Sequence, residues 1–235
     1  MLHKVLCEMI DKEIIEDYKC FMGLDEFPEF ECDYYLLDDS TGFIYGARAE
    51  YDPISRKHKL LLPANMKLPR FLLFHELTHI YDMDRFSKGD VNYDFCLTGY
   101  MEYHASQIEL IAMMGTAKIE NAFSFSMKNS VNNSEWSVQH YIDNKLETAK
   151  SLVKKTEKQK RLDGLDVFFN YLGLKSICSM FATDFKDENS YREFAERMSS
   201  ILFMEIRKEF CGWISDIDRA VALYSHAYSA VAADN

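Results

Sequence analysis

Beyond Pro69 the chain has no proline, and its 235 residues carry only four prolines and nine glycines. Pro28, Pro53, Pro63 and Pro69 all fall in the first third. Proline breaks helices and glycine loosens them. Their scarcity after residue 69 therefore excludes a turn-rich, all-β remainder and predicts long helices, with mixed structure before them. No apolar run approaches the roughly 18 residues of a membrane helix. Lys4, Glu8 and Asp11 stand where a signal peptide would be apolar. Both absences lead to the expectation of a cytoplasmic protein with no membrane partner. Cys7, Cys20, Cys32, Cys96, Cys178 and Cys211 form no CxxC pair, which excludes a cysteine-based zinc site and predicts free thiols. Basic residues are also in deficit, 27 Lys and Arg against 38 Asp and Glu for a net charge of −11. Phosphate neutralisation needs a basic face, so no nucleic-acid partner is expected.

The charge is unevenly spread. Residues 1–50 hold thirteen acidic against four basic side chains, whereas residues 145–161 hold seven basic against two acidic. The basic run, ending in Lys158, Lys160 and Arg161, reads as the solvated face of a helix. Residues 5–21 read as an amphipathic helix followed by a turn-rich acidic stretch. Residues 43–51 and 57–62, separated by the turn Asp52-Pro53-Ile54-Ser55, read as a β-hairpin. Residues 93–114 form a helix stopped at Gly115, and residues 121–134, rich in Asn and Ser, read as a linker or mobile loop. Three or four helices are expected after that. Their apolar stripes are Val138, Tyr141, Ile142, Leu146, Ala149 and Leu152; then Tyr191, Phe194, Met198, Ile201 and Leu202; then Ile217, Ala220, Val221, Tyr224, Tyr228 and Val231.

Against that background one pentapeptide stands out, His75-Glu76-Leu77-Thr78-His79, an HExxH motif. Lys67-Leu68-Pro69 offers a helix start, and neither proline nor glycine interrupts the segment before Gly89. On a helix, His75 and His79 project from one face, so both imidazoles can bind one Zn²⁺ while Glu76 acts on the attacking water. A catalytic zinc needs a third protein ligand and an open position. Glu102, on the next helix, is the expected third ligand: it shares a face with Ala105, Ser106 and Glu109, and the small residues would let the two helices approach. His104 is the alternative, about 200° around the helix from Glu102. Asp82 is a further contender, as a neighbour of the site or a helix cap. Tyr100, Tyr103, His104 and Ser106 are further groups expected near the metal, as partners of a ligand or as donors to a developing oxyanion.

A strand ending Lys59-Leu60-Leu61-Leu62, an immediate HELTH helix and a following helix bearing Glu102-Tyr103-His104-Ala105 resemble the zincin metallopeptidases. Among them the Glu-ligand group typified by the ImmA/IrrE family of bacterial and mobile-element proteins is most similar. The resemblance spans residues 40–118. It implies Zn²⁺ held by His75, His79 and Glu102, Glu76 as general base, and cleavage of a protein substrate inside the cell, in that family often a transcriptional repressor. Where thermolysin-like relatives carry Asp four residues after the ligand Glu, this chain has Ser106. The expected fold is α+β: a zincin-like domain over residues 1–120, with a small antiparallel sheet or hairpin packed on the HExxH helix, then a helical region over residues 135–235. That region either packs on the first part or forms its own small bundle. The other reading is a non-catalytic zincin scaffold that binds or regulates.

Overall fold

The scarcity of helix breakers after Pro69 is realised as seven helices among the described residues. The structure, a computed structural model, describes residues 2–36, 46–120, 123–132, 134–187 and 190–233. Among these the order is α1 (Leu2–Met22), β1 (Phe30–Tyr35), β2 (Arg48–Asp52), β3 (Lys57–Pro63), α2 (Arg70–Phe86), α3 (Val91–Met113), α4 (Val138–Val153), α5 (Lys158–Phe181), α6 (Arg192–Met198), α7 (Ser200–Glu209) and α8 (Ile217–Ala232). The class is α+β, and among the described residues no helix is long and apolar enough to cross a membrane.

The hairpin forms: β2 pairs antiparallel with β3, with Ala49 opposite Leu60. Its turn is closed by Asp52, which accepts the Ile54 N–H at 2.9 Å and the Ser55 hydroxyl at 2.6 Å. Residues 43–45 of the expected first strand lie outside the described residues. A third strand corrects the expected antiparallel sheet to a mixed one. β1 runs parallel to β3 along its other side, giving the order β1-β3-β2. Its residues, Phe30-Glu31-Cys32-Asp33-Tyr34-Tyr35, had read as part of an acidic turn region. The acids answer basic neighbours on β3, Glu31 to Lys57 at 2.8 Å and Asp33 to Lys59 at 2.9 Å. Exposed pairs of this kind add little stability, but here they make an acidic segment compatible with a strand.

α2 begins at Pro69, whose fixed φ suits a helix start. Arg70 in its first turn holds Asp17 of α1 at 2.6 and 3.0 Å, and the Tyr18 hydroxyl meets Thr78 at 3.0 Å. α3 is capped by Asp90, which accepts the Tyr93 N–H, and it ends where Gly115 takes a φ of +76°. The residues read as a linker are instead anchored over 123–132, where Phe125, Met127 and Val131 are buried and Phe125 bridges to Ala182. Residues 121, 122 and 133 lie outside the description.

Among the described residues five helices, not three or four, follow residue 135. The one without an expected stripe is α5, and the reason is physical: a helix buried on nearly every side shows no single apolar face. Leu165, Phe168, Phe169, Tyr171, Leu174 and Ile177 are all fully buried along it. The second expected stripe also breaks. Tyr191, Phe194 and Met198 are buried, but Ile201 is 77% exposed. Ser199, at φ +73°, interrupts the helix and resets its phase. Arg161, assigned to a solvated face, is buried, and its guanidinium donates to the Val231 carbonyl at 3.0 Å, tying the start of α5 to the end of α8.

One hydrophobic core runs from the sheet through α2 and α3 to the last helices. α5 lies so close to α3 that a Cβ at Gly173 would fall 2.1 Å from the Tyr103 carbonyl oxygen and 3.0 Å from the Ser106 Cβ. Ser106 thus lets α3 approach α5, not the HExxH helix as expected. Gly173→Ala is expected to destabilise the protein by about 2 kcal/mol. Overpacking against backbone costs about 1–3 kcal/mol, more than the roughly 1 kcal/mol that alanine gains in helix propensity. Denaturant unfolding checks this, and an unchanged midpoint would mean the helices are not in such close contact.

Candidate metal centre

His75 and His79 lie one turn apart on α2, with ring centroids 4.8 Å apart, and both turn their Nε2 atoms toward Glu102 of α3. His75 Nε2 is 3.7 Å from Glu102 Oε2, and His79 Nε2 is 3.7 Å from Glu102 Oε1. One ligand atom from each residue lies within 4.8 Å of the others, and this is the cluster among the described residues able to hold a metal. A separation of 3.7 Å is too long for a hydrogen bond. It is close to the roughly 3.3 Å between atoms that share a tetrahedral metal at bonds of about 2.0–2.2 Å.

The imidazole orientations fit such a role. His75 Nδ1 lies 2.7 Å from Glu109 Oε2, and the Tyr141 hydroxyl donates to the other oxygen of Glu109. A carboxylate at Nδ1 holds a proton there, so Nε2, facing Glu102, is the nitrogen a metal would take on displacing the second proton. His79 Nδ1 is buried with no hydrogen-bond partner among the described residues. A buried polar atom left in that state costs on the order of 1–3 kcal/mol, and His79, unlike His75, has no second group among the described residues orienting its ring. Two imidazoles and a carboxylate suit zinc, though not zinc alone among divalent metals.

Electrostatics separate the roles. Burial works against the charge on Glu102, but His79 and His75 outweigh it and hold its carboxyl down to about 2. Burial takes His79 down to about 4, so it is neutral near pH 7. Burial likewise opposes a proton on His75, yet Glu102 and Glu109 outweigh it and lift the imidazole to about 10. A metal must displace that proton, so binding would release it to solvent. Burial pushes Glu76 up to about 7 against the pull of His75 and of the Ala49 N–H, which Glu76 Oε2 accepts at 2.7 Å. Thus β2 fixes one oxygen of Glu76, and Oε1 has no protein donor among the described residues.

These groups open onto a cleft of about 1100 Å³ between β2 on one side and α2, α3 and α5 on the other. The remaining expected residues distribute unevenly. His104 is not beside Glu102: its Nδ1 meets both oxygens of fully buried Asp82 at 2.9 and 3.0 Å, with Tyr100 stacked on it at 5.6 Å. Asp82 is therefore neither a surface group nor a partner of a cluster histidine. The Tyr103 hydroxyl donates to the Gly212 carbonyl at 2.5 Å, on the side of α3 away from the cleft. None of Asp82, Tyr100, Tyr103, His104 and Ser106 lines the cleft, so none is placed to donate to an oxyanion there. Ser106 still acts at one remove. It donates to Asn170 Oδ1, which turns the amide NH₂ of Asn170 toward Glu102.

Glu109, Tyr141, Asn170 and Asp166 were not read from the sequence as site residues. Glu109 lies seven residues after Glu102, two helical turns on, and that spacing was the signal for it. Tyr141 had read as core. Asn170 and Asp166 sit on α5, whose position no local pattern reveals. Glu109→Gln is expected to weaken zinc binding roughly 10–100-fold, the usual cost of losing the partner that orients a ligand histidine. Competition with a chromophoric chelator measures it, and unchanged affinity would remove Glu109 from the site. No protein-family profile, curated protein or solved structure matches the chain.

Proposed function

We propose that the chain is a zinc-dependent peptidase that hydrolyses a peptide bond in a specific protein substrate, a regulator in the manner of the ImmA/IrrE resemblance, in the cytoplasm. The observation that carries this reading is the convergence of two Nε2 atoms on Glu102 at 3.7 Å with Glu76 in the same cleft. His75, His79 and Glu102 would hold the ion; when bound, zinc supplies Lewis acidity to a carbonyl and a water acidified toward neutral pH. Glu76 takes the proton of the attacking water at Oε1 and passes it to the leaving amine, while the Ala49 N–H keeps the carboxylate aimed. A purely structural metal site would have no use for that base.

Hydrolysis of a proteome-derived peptide mixture tests the reading. Cleavage is expected to vanish after dialysis against a chelator and to return with about one equivalent of zinc per chain. Cleavage indifferent to the chelator, or none in a well-powered search, would favour a non-catalytic binding scaffold.

A further inference from the structure

The last helices supply the cleft with a carboxylate that the proposed hydrolysis does not use. Asp166 of α5 lines the cleft one turn before Asn170, outside the cluster of His75, His79 and Glu102. The Tyr224 hydroxyl of α8 donates to its Oδ1, and no lysine or arginine pairs with it among the described residues. The other charged groups of the cleft are answered within the chain. Arg48 meets Glu50 at 3.3 Å, and Asp94 accepts the Ser87 hydroxyl at 2.7 Å and the Lys88 N–H at 3.0 Å. Glu76 accepts the Ala49 N–H, and Glu102 faces two imidazoles. Burial and the nearby Glu102 carboxylate push the Asp166 carboxyl up to about 7, so it takes its full charge when a cation lies beside it, and no lysine or arginine among the described residues does.

Beside it the wall is apolar. Phe95 and Val91 of α3 line the same cleft at 48% and 69% exposure. Phe95 packs edge-on against Tyr228 at 4.9 Å, and Tyr228 lies one turn beyond Tyr224 on α8, their rings 6.4 Å apart. A carboxylate next to an exposed aromatic shelf suits a long basic side chain, whose methylene stem covers apolar surface while its charged head reaches the acid. We propose that Asp166, oriented by Tyr224, is a specificity-determining residue that binds a lysine or arginine side chain of the substrate near the scissile bond. This rests on the peptidase reading above and names part of its substrate class.

Two arms test it, and they fail separately. In the first, wild-type and Asp166→Asn proteins digest an N-terminally acetylated, proteome-derived peptide mixture, and mass spectrometry maps the residues flanking each cut. Lysine and arginine are expected to be enriched at one flanking position, and the enrichment to fall about tenfold in Asp166→Asn. No basic enrichment, or the same enrichment in the variant, overturns the proposal while leaving peptidase activity intact. The second arm does not depend on turnover. Zinc-loaded Glu76→Gln protein is titrated with acetylated hexapeptide mixtures bearing either a fixed lysine or a fixed norleucine. Tighter binding of the lysine mixture, lost in the Glu76→Gln/Asp166→Asn double variant, supports the subsite even if no cleavage is found. Equal binding of the two mixtures overturns it.

Discussion

Glu76→Gln is expected to reduce peptide-bond hydrolysis by about 10²-fold or more while leaving fold and zinc content unchanged. The figure is the lower end of what a positioned general base contributes. The fold survives because the glutamine carbonyl oxygen can still accept the Ala49 N–H that Glu76 Oε2 accepts at 2.7 Å, so β2 keeps its tie to α2. Chemistry is lost because the amide cannot take a proton from water. Single-turnover cleavage by equal amounts of wild-type and variant protein, beside metal analysis of both, separates the two effects. Undiminished cleavage would reject Glu76 as the base. Loss of metal along with activity would place Glu76 in metal binding instead.

The second large effect concerns the ligands. His79→Ala or Glu102→Ala is expected to abolish stoichiometric zinc binding, a loss greater than the roughly 10–100-fold expected for an outer partner such as Glu109. His104→Ala is expected to leave zinc in place and to cost about 3 kcal/mol of folding stability, because it strands the buried Asp82 carboxylate that His104 faces at 2.9 Å. The two histidine variants therefore fail in different assays. Zinc lost from His104→Ala and retained in Glu102→Ala would move the third ligand and dissolve the resemblance to Glu-ligand zincins.

The parts of the fold legible in the sequence were those set by local rules. Pro69 and the absence of breakers before Gly89 located α2, Gly115 ended α3, and Asp52-Pro53 turned the hairpin. The pair His75 and His79 could be brought together on periodicity alone, whereas Glu102 was expected as the third ligand with His104 and Asp82 as alternatives. What escaped was set by distant partners. β1 forms by parallel pairing along β3 with its acids beside Lys57 and Lys59, and such a pairing leaves no mark in a short polar segment. α5 has no stripe because it is buried all round. With α5 unplaced, Asn170 and Asp166 could not be put in the cleft, and Ser106 was aimed at the wrong helix. His104 and Asp82, each weighed as a ligand, satisfy one another, a pairing between helices that spacing along either one does not reveal.

His75, His79 and Glu102 are proposed to hold one zinc ion between α2 and α3. Anomalous diffraction at the zinc edge from crystals grown with equimolar zinc tests it most directly. A single strong peak is expected within about 2.0–2.2 Å of both Nε2 atoms and of a Glu102 oxygen, with Glu76 outside bonding distance. A peak on His104 and Asp82, or none near Glu102 in crystals that hold zinc elsewhere, would contradict it.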